Sequence, residues 1–294
     1  MRRFLAIART AAIETMSQPL SAILFPVALL AVHLLPAFQY HRFGAPGRLA
    51  REAGLSALFV FGLIFAVPAV ARAIGRELEN GTAAAALALG VSRSLYFTAR
   101  LAGTALVFLL FLAAVFSAAA ALSSFSCVKA AAISVAGEGV VRVWGPAFAF
   151  GVCASLAPFA LAAALNRFLG RRFCLWTCIL SVALQLPGLA IARDASAAAK
   201  AAPAFALLGV ACLVYVAMAG ALATRLKANG VAAFVVAAVL AGFLAPVKFL
   251  APDMRVFWLA EGDPASFAPI AAGMALFALW TLAGCVSLER KELG

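Results

Sequence analysis

Charge is scarce in this chain of 294 residues: 12% are Asp, Glu, Lys or Arg, and only 11 are acidic. Soluble domains carry about 25% charged residues to keep their surfaces wet, so a soluble globular domain is excluded. Histidine is scarcer still, with His33 and His41 alone. The six cysteines, Cys127, Cys153, Cys174, Cys178, Cys212 and Cys285, fall mostly in apolar stretches. A metal centre or a Cys/His nucleophile needs such groups to converge, and this spacing offers no convergence. Cys174 and Cys178, in CLWTC, share a helical face and read as small apolar side chains. No GxxxxGK[ST] phosphate loop occurs, so the chain does not bind ATP by that route. Catalytic, metal and cofactor-binding residues are therefore all expected to be absent.

What the chain has is hydrocarbon. Hydrophobic residues make up 66% of it and the mean hydropathy is +1.08, the composition of an integral membrane protein. In lipid the natural unit is a helix of about 20 residues, and the whole chain, 1–294, reads as one all-α bundle of transmembrane helices. Apolar runs long enough to span fall at 19–37, 53–71, 101–122, 145–165, 173–192, 203–223, 231–250 and 267–288, eight in all. Gln185 and Pro187 interrupt the fifth, which leaves a six-span arrangement with re-entrant hairpins open. An even number puts both termini on one side. With the N-terminus inside, the cytoplasmic segments hold 14 of the 23 Lys and Arg residues, in accord with the positive-inside rule. The expected location is a bacterial inner membrane, with both termini cytoplasmic.

None of the runs carries Asp, Glu, Lys or Arg well inside it; His33 and Lys248 stand near ends. Ion-coupled carriers generally place an ionisable group at membrane depth, so that class loses ground. Gln185 is expected to form a helix-to-helix hydrogen bond. The net charge of +12 is scattered in twos and threes without interleaved aromatics, which fits lipid headgroups and topology rather than nucleic acid.

Residues 1–18 read as an interfacial helix. On a helical wheel Phe4, Leu5, Ala8, Ala11, Ala12 and Met16 share one arc, opposite Arg3, Thr10, Glu14 and Ser17, before the chain turns inward at Pro19. Such a helix lies along the inner leaflet, its cations toward anionic headgroups.

Arg72 to Gly103, RAIGRELENGTAAAALALGVSRSLYFTARLAG, is where the chain turns polar. Each charge there would cost about 2.5–3.5 kcal/mol in hydrocarbon, so the segment lies in water between two spans. Gly81 allows a turn, Thr82 is placed to cap the Ala-rich helix after it, and Ser92 or Ser94 to cap the next. Asn80-Gly81-Thr82 has the form of a glycosylation acceptor, but on the cytoplasmic side it goes unused.

In order and spacing this segment resembles the first cytoplasmic loop of the ABC-2 type permeases, membrane subunits of ABC exporters. Their pattern runs Glu-x-Glu-x-Gly-Thr, a short helix, Pro-Val-Ser-Arg, then a Lys before the next span. Glu77, Glu79, Gly81 and Thr82 match its first part and Val91-Ser92-Arg93 its second. Ala84 stands where an acid is common, Gly90 where Pro is usual and Arg100 for the Lys. The interfacial helix and the basic tail, Glu289-Arg290-Lys291-Glu292-Leu293, are also similar to that family. The resemblance covers about the first 125 residues and the tail.

It implies that the 72–100 loop forms a coupling helix on which a separate nucleotide-binding subunit docks, with Glu77, Glu79, Gly81, Thr82 and Arg93 as the docking residues. ATP is then bound by that partner, and the permease works with a second copy or a homologous permease. The chain itself is expected not to be an enzyme. Two other classes stay open, an ATPase-independent carrier or channel and a membrane-embedded lipid-processing enzyme.

Overall fold

Pro19, Pro46 and Pro146 each open a helix, the position where the fixed φ of proline and its missing N–H cost nothing. They start α2 (Pro19–Phe38), α3 (Pro46–Ala71) and α7 (Pro146–Leu169). Before them lies α1 (Arg2–Met16). After α3 come a π-helical turn (Arg72–Arg76), α4 (Glu77–Glu79), α5 (Thr82–Ala88) and the 35-residue α6 (Arg93–Cys127). α8 (Phe173–Gln185), α9 (Ala195–Ala223), α10 (Ala228–Leu244) and α11 (Phe267–Glu289) complete the helices. This computed structural model describes residues 1–38, 46–88, 90–127, 133–135, 138–140, 146–169, 172–188, 195–244, 252 and 267–291. Its one departure from all-α among them is a three-residue antiparallel pair, β1 (Ile133–Val135) with β2 (Glu138–Val140).

A helix therefore stands at each of the eight expected runs, but they are not equal. Among the described residues five helices, α3, α6, α7, α9 and α11, are long and apolar enough to cross a membrane, or six if the bent pair α1 and α2 counts as one span. The described lengths of α8 and α10 are 13 and 17 residues, about 20 and 26 Å at 1.5 Å per residue. Both fall short of a hydrocarbon core of about 30 Å. For α8 the cause is visible in sequence, since Pro187 offers no N–H to continue the ladder. Among the described residues, five or six of the eight expected spans are thus long enough to cross. Pro68, Pro158 and Pro203 sit inside α3, α7 and α9, as membrane helices tolerate where neighbours satisfy the freed carbonyls.

The chain folds into two compact units. The first comprises residues 1–16, 62–109 and 206–294, the second 17–61 and 110–205. Within the first, Phe65 stacks on Phe108 with ring centroids 6.4 Å apart. Phe97 and Tyr215 are fully buried there. Close approach in this unit is made through small residues, as membrane helices require. Within the second, Phe25 meets Phe111 at 4.9 Å and Phe116 meets Phe205 edge-on at 5.2 Å. Gln185 forms the interhelical bond its sequence suggests: its Nε2 donates to Ser155 Oγ at 3.2 Å, and its backbone carbonyl accepts from Ser117 Oγ at 2.5 Å. Lys248, Arg42 and most of the 251–266 connection lie outside the described residues.

Candidate docking loop

The loop belongs to the first unit. It opens where the apolar run of α3 ends at Ala71 and the backbone widens into a π turn over Arg72–Arg76. Insertions of this kind recur at functional sites. The Arg72 Nε donates back to the carbonyl of Pro68 at 3.2 Å. The chain then reverses at Gly81, whose φ of +71° is left-handed and favours glycine. No atom lies within 4 Å of where a Cβ would stand there. Gly90, with φ of +76°, ends the segment in the same way.

Of the five residues singled out for docking, two face solvent freely. Glu79 and Gly81 are exposed, with Asn80 between them. Thr82 is exposed too, but its hydroxyl donates backward to the carbonyl of Glu77 at 3.2 Å. The expected forward cap of α5 is therefore replaced by a tie that closes the turn around Gly81. The next cap is as expected, since Leu95 N–H donates to Ser92 Oγ at 3.3 Å at the start of α6.

Glu77 and Arg93 are engaged inside the protein. The Arg93 Nη1 donates to the carbonyls of Glu289 at 2.8 Å and Lys291 at 2.7 Å, with Leu288 at 3.3 Å. It thereby caps the C-terminus of α11, where orphan carbonyls and the helix dipole favour a cation. Lys291 Nζ in turn reaches the Thr224 carbonyl at 2.9 Å. Thr224 also shares a hydroxyl bond of 2.7 Å with Ser287. The basic tail is thus a clasp between the ends of α9, α11 and the loop.

Glu77 is half-buried and sits in an ionic cluster. Its carboxylate pairs with the Arg100 guanidinium and accepts from the Tyr96 hydroxyl. The other Arg100 nitrogen reaches Glu14 of α1 at 2.5 Å, and the guanidinium lies 5.7 Å from the Tyr96 ring centroid, within cation–π range. Arg100 is buried, and only 8% of its side chain is exposed against 47% for Glu14. Burial, and then the nearby Glu14 carboxylate, push the Glu77 carboxyl up to about 7.

In sequence Arg100 stands only as a substitute for Lys, and Tyr96 and Glu14 carry no assignment to the site. A signal was present. Arg93, Tyr96 and Arg100 are spaced three and four apart, so they share one face of α6, and Glu14 is the lone acid on a basic helix. At the far end of the loop the Arg3 Nη1 donates to the Gly90 carbonyl at 3.1 Å. Both ends of the loop are therefore tied to α1. Between them the outer row Glu79, Asn80, Gly81, Thr82, Ala85 and Ala88 is exposed, while Leu78 and Ala83 are buried beneath it.

Among the described residues no group of three or more His, Cys, Asp or Glu could hold a metal ion. Cys178, Cys212 and Cys285 are buried free thiols. No family model, no curated protein and no solved structure matches this chain. Its function has to be read from its own residues and their geometry.

Proposed function

We propose that the chain is the membrane-spanning permease subunit of an ABC exporter in an inner membrane. A separate nucleotide-binding subunit, docked on the 72–100 loop, hydrolyses ATP to move substrate. One observation carries the reading. The stretch whose order resembles the coupling loop of ABC-2 permeases is also a solvent-facing knuckle, with exposed Glu79 to Thr82 on top and braced ends below. A connector that served only to stay out of lipid has no need of bracing at both ends. Charged and backbone groups on a short rigid segment give a partner oriented hydrogen bonds. When two ATPase subunits close, a loop fixed at both ends passes the shift to α3 and α6 as rigid bodies.

This assignment divides the roles of the five residues. Glu79, Gly81 and Thr82 form the contact surface. Glu77 and Arg93 set the position of that surface from within the permease. The chain works as a pair with a second permease, and both termini face the cytoplasm. Co-expression with a candidate ATPase of the ABC class provides the test. Wild-type chain should retain the ATPase through purification, and Glu79→Arg should lower that retention at least about tenfold, because a charge reversal within a docked surface costs several kcal/mol. Undiminished retention by Glu79→Arg, with the same elution volume, sinks the reading.

A further inference from the structure

A helical wheel divides α1 into one apolar arc and one polar face; the folded helix has three sides. At 100° per residue, Ala8, Ala11, Ala12, Thr15 and Met16 fall on one arc, and the last four of these are buried. That arc is closed against α6. A Cβ added at Gly103 would stand 2.3 Å from the Ala8 carbonyl oxygen and 2.7 Å from the Ala11 Cβ. The apolar arc therefore packs on protein, not on lipid. A second side carries Arg3 and Glu14, which face the loop through Gly90 and Arg100.

Among the described residues the side chains of the third side carry no hydrogen bond or ion pair. Leu5, Arg9, Arg2, Ile13 and Ala6 follow one another around it. Arg2, Leu5, Ala6 and Arg9 are exposed, Leu5 by 58%. It holds two cations seven residues apart, an exposed leucine between them and no acid, since Glu14 points elsewhere. An apolar residue flanked by cations on a helix that precedes a membrane span suits the headgroup boundary, where leucine enters the acyl layer and arginine pairs with phosphate.

We infer that the Arg2–Leu5–Arg9 side of α1 binds anionic lipid headgroups, and that α1 carries the charge of the membrane surface to the docking loop through Arg100. The inference deepens the proposed function by adding regulation at the same loop. A charged leaflet holds α1 down. The seam at Gly103 makes α1 and α6 one body, and the Glu14–Arg100–Glu77 bridge and the Arg3–Gly90 bond set both ends of the loop. Each cation near such a surface favours the bound position, and two together do so by up to about thirtyfold. In a neutral membrane the loop is held by its internal bonds alone.

The full chain, without any ATPase, is placed in nanodiscs of phosphatidylcholine alone or with phosphatidylglycerol at about a third of the lipid, and amide exchange is followed over residues 77–90. Phosphatidylglycerol should slow exchange about threefold or more. Arg2→Gln/Arg9→Gln should abolish the slowing, and Arg2→Lys/Arg9→Lys should keep it. Glu14→Gln should retain phosphatidylglycerol in native mass spectra yet lose the effect on the loop. An equal response of wild type and Arg2→Gln/Arg9→Gln overturns the inference, as does loss of the response in the lysine pair or its persistence in Glu14→Gln. A response to added acidic peptide in phosphatidylcholine, matching that to the lipid, would assign the surface to a protein partner instead and overturn the lipid claim. Because the readout needs no ATPase, its failure is separate from a failure of Glu79→Arg to release one.

Discussion

Arg100 is the residue on which the loop turns. It lies seven positions after Arg93 on the same face of α6, but it is buried and holds two carboxylates and a tyrosine ring. Removing a buried partner leaves the others paired with nothing, which costs more than the pair contributes. Arg100→Ala should therefore lower stability by about 2–3 kcal/mol, toward the small end because Glu14 is half in water. Arg100→Ala/Glu77→Ala should recover part of that loss, and a double-mutant cycle on thermal unfolding in detergent measures it. Additive losses would mean that the bridge contributes nothing. The raised pKa of Glu77 has its own signature. Its ordinary value is 4.5 and its folded value about 7, so the folded state binds the proton more tightly than the unfolded one. The contribution of the group is fully present below about pH 4.5 and is lost as pH rises through about 7. Melting of wild type relative to Glu77→Gln should thus fall between pH 5 and 7.5. A flat difference across that range would show that Glu77 keeps ordinary acidity.

The element that governs the loop is α1, and the seam at Gly103 governs α1. No side chain larger than hydrogen fits there without moving the Ala8 carbonyl or the Ala11 methyl. Gly103→Ala should cost about 1–3 kcal/mol by overpacking and raise amide exchange across residues 8–16. Gly103→Leu should go further and also free the 77–90 loop, since Glu14 and Arg3 leave with the helix. Unchanged exchange at 77–90 in Gly103→Leu would mean that the loop stands without α1. The same elements mark what was legible in the sequence. The helices were, because hydrophobic runs bounded by Pro, Arg and Gly leave little choice of backbone in lipid. The loop was legible as a helix, a turn at Gly81 and a Ser92 cap, because those residues act locally. What was hidden depended on partners distant in sequence. The direction of the Thr82 hydroxyl, the Arg93 cap on α11 across 196 residues and the Glu14–Arg100 bridge across 86 leave no local pattern. The amphipathic arc of α1 was legible for a related reason only in part, as it records that something apolar covers Ala11, Ala12 and Met16 and not that α6 does so.

At the scale of the whole molecule, the open issue is how unequal helices divide the membrane. The five long apolar helices differ in how much protein covers them. In α9 78% of the most apolar window is buried, in α11 only 17%. A helix buried that far is a central strut, and one so bare is bathed in lipid or in another subunit along most of its length. With α8 at 13 residues, a complete crossing by α8 alone would have to thin the bilayer by about 10 Å. Its partner α7 crosses alone at 24 residues. If the chain after α8 returned to the side of Arg172, α7 and α8 together would contribute one crossing, and the count beyond them would change parity. Reporter fusions decide this. Cytoplasmic termini, as proposed for a permease with its ATPase inside, require fluorescence from fusions at residues 18, 85 and 291 and phosphatase activity from fusions at 42 and 261. A fusion at 226, between α9 and α10, then discriminates, with fluorescence if α8 and α10 both complete crossings and phosphatase activity if both of these shorter helices fold back. Phosphatase activity at 85 would place the docking loop outside, out of reach of any cytoplasmic ATPase, and would remove the proposed function at its root.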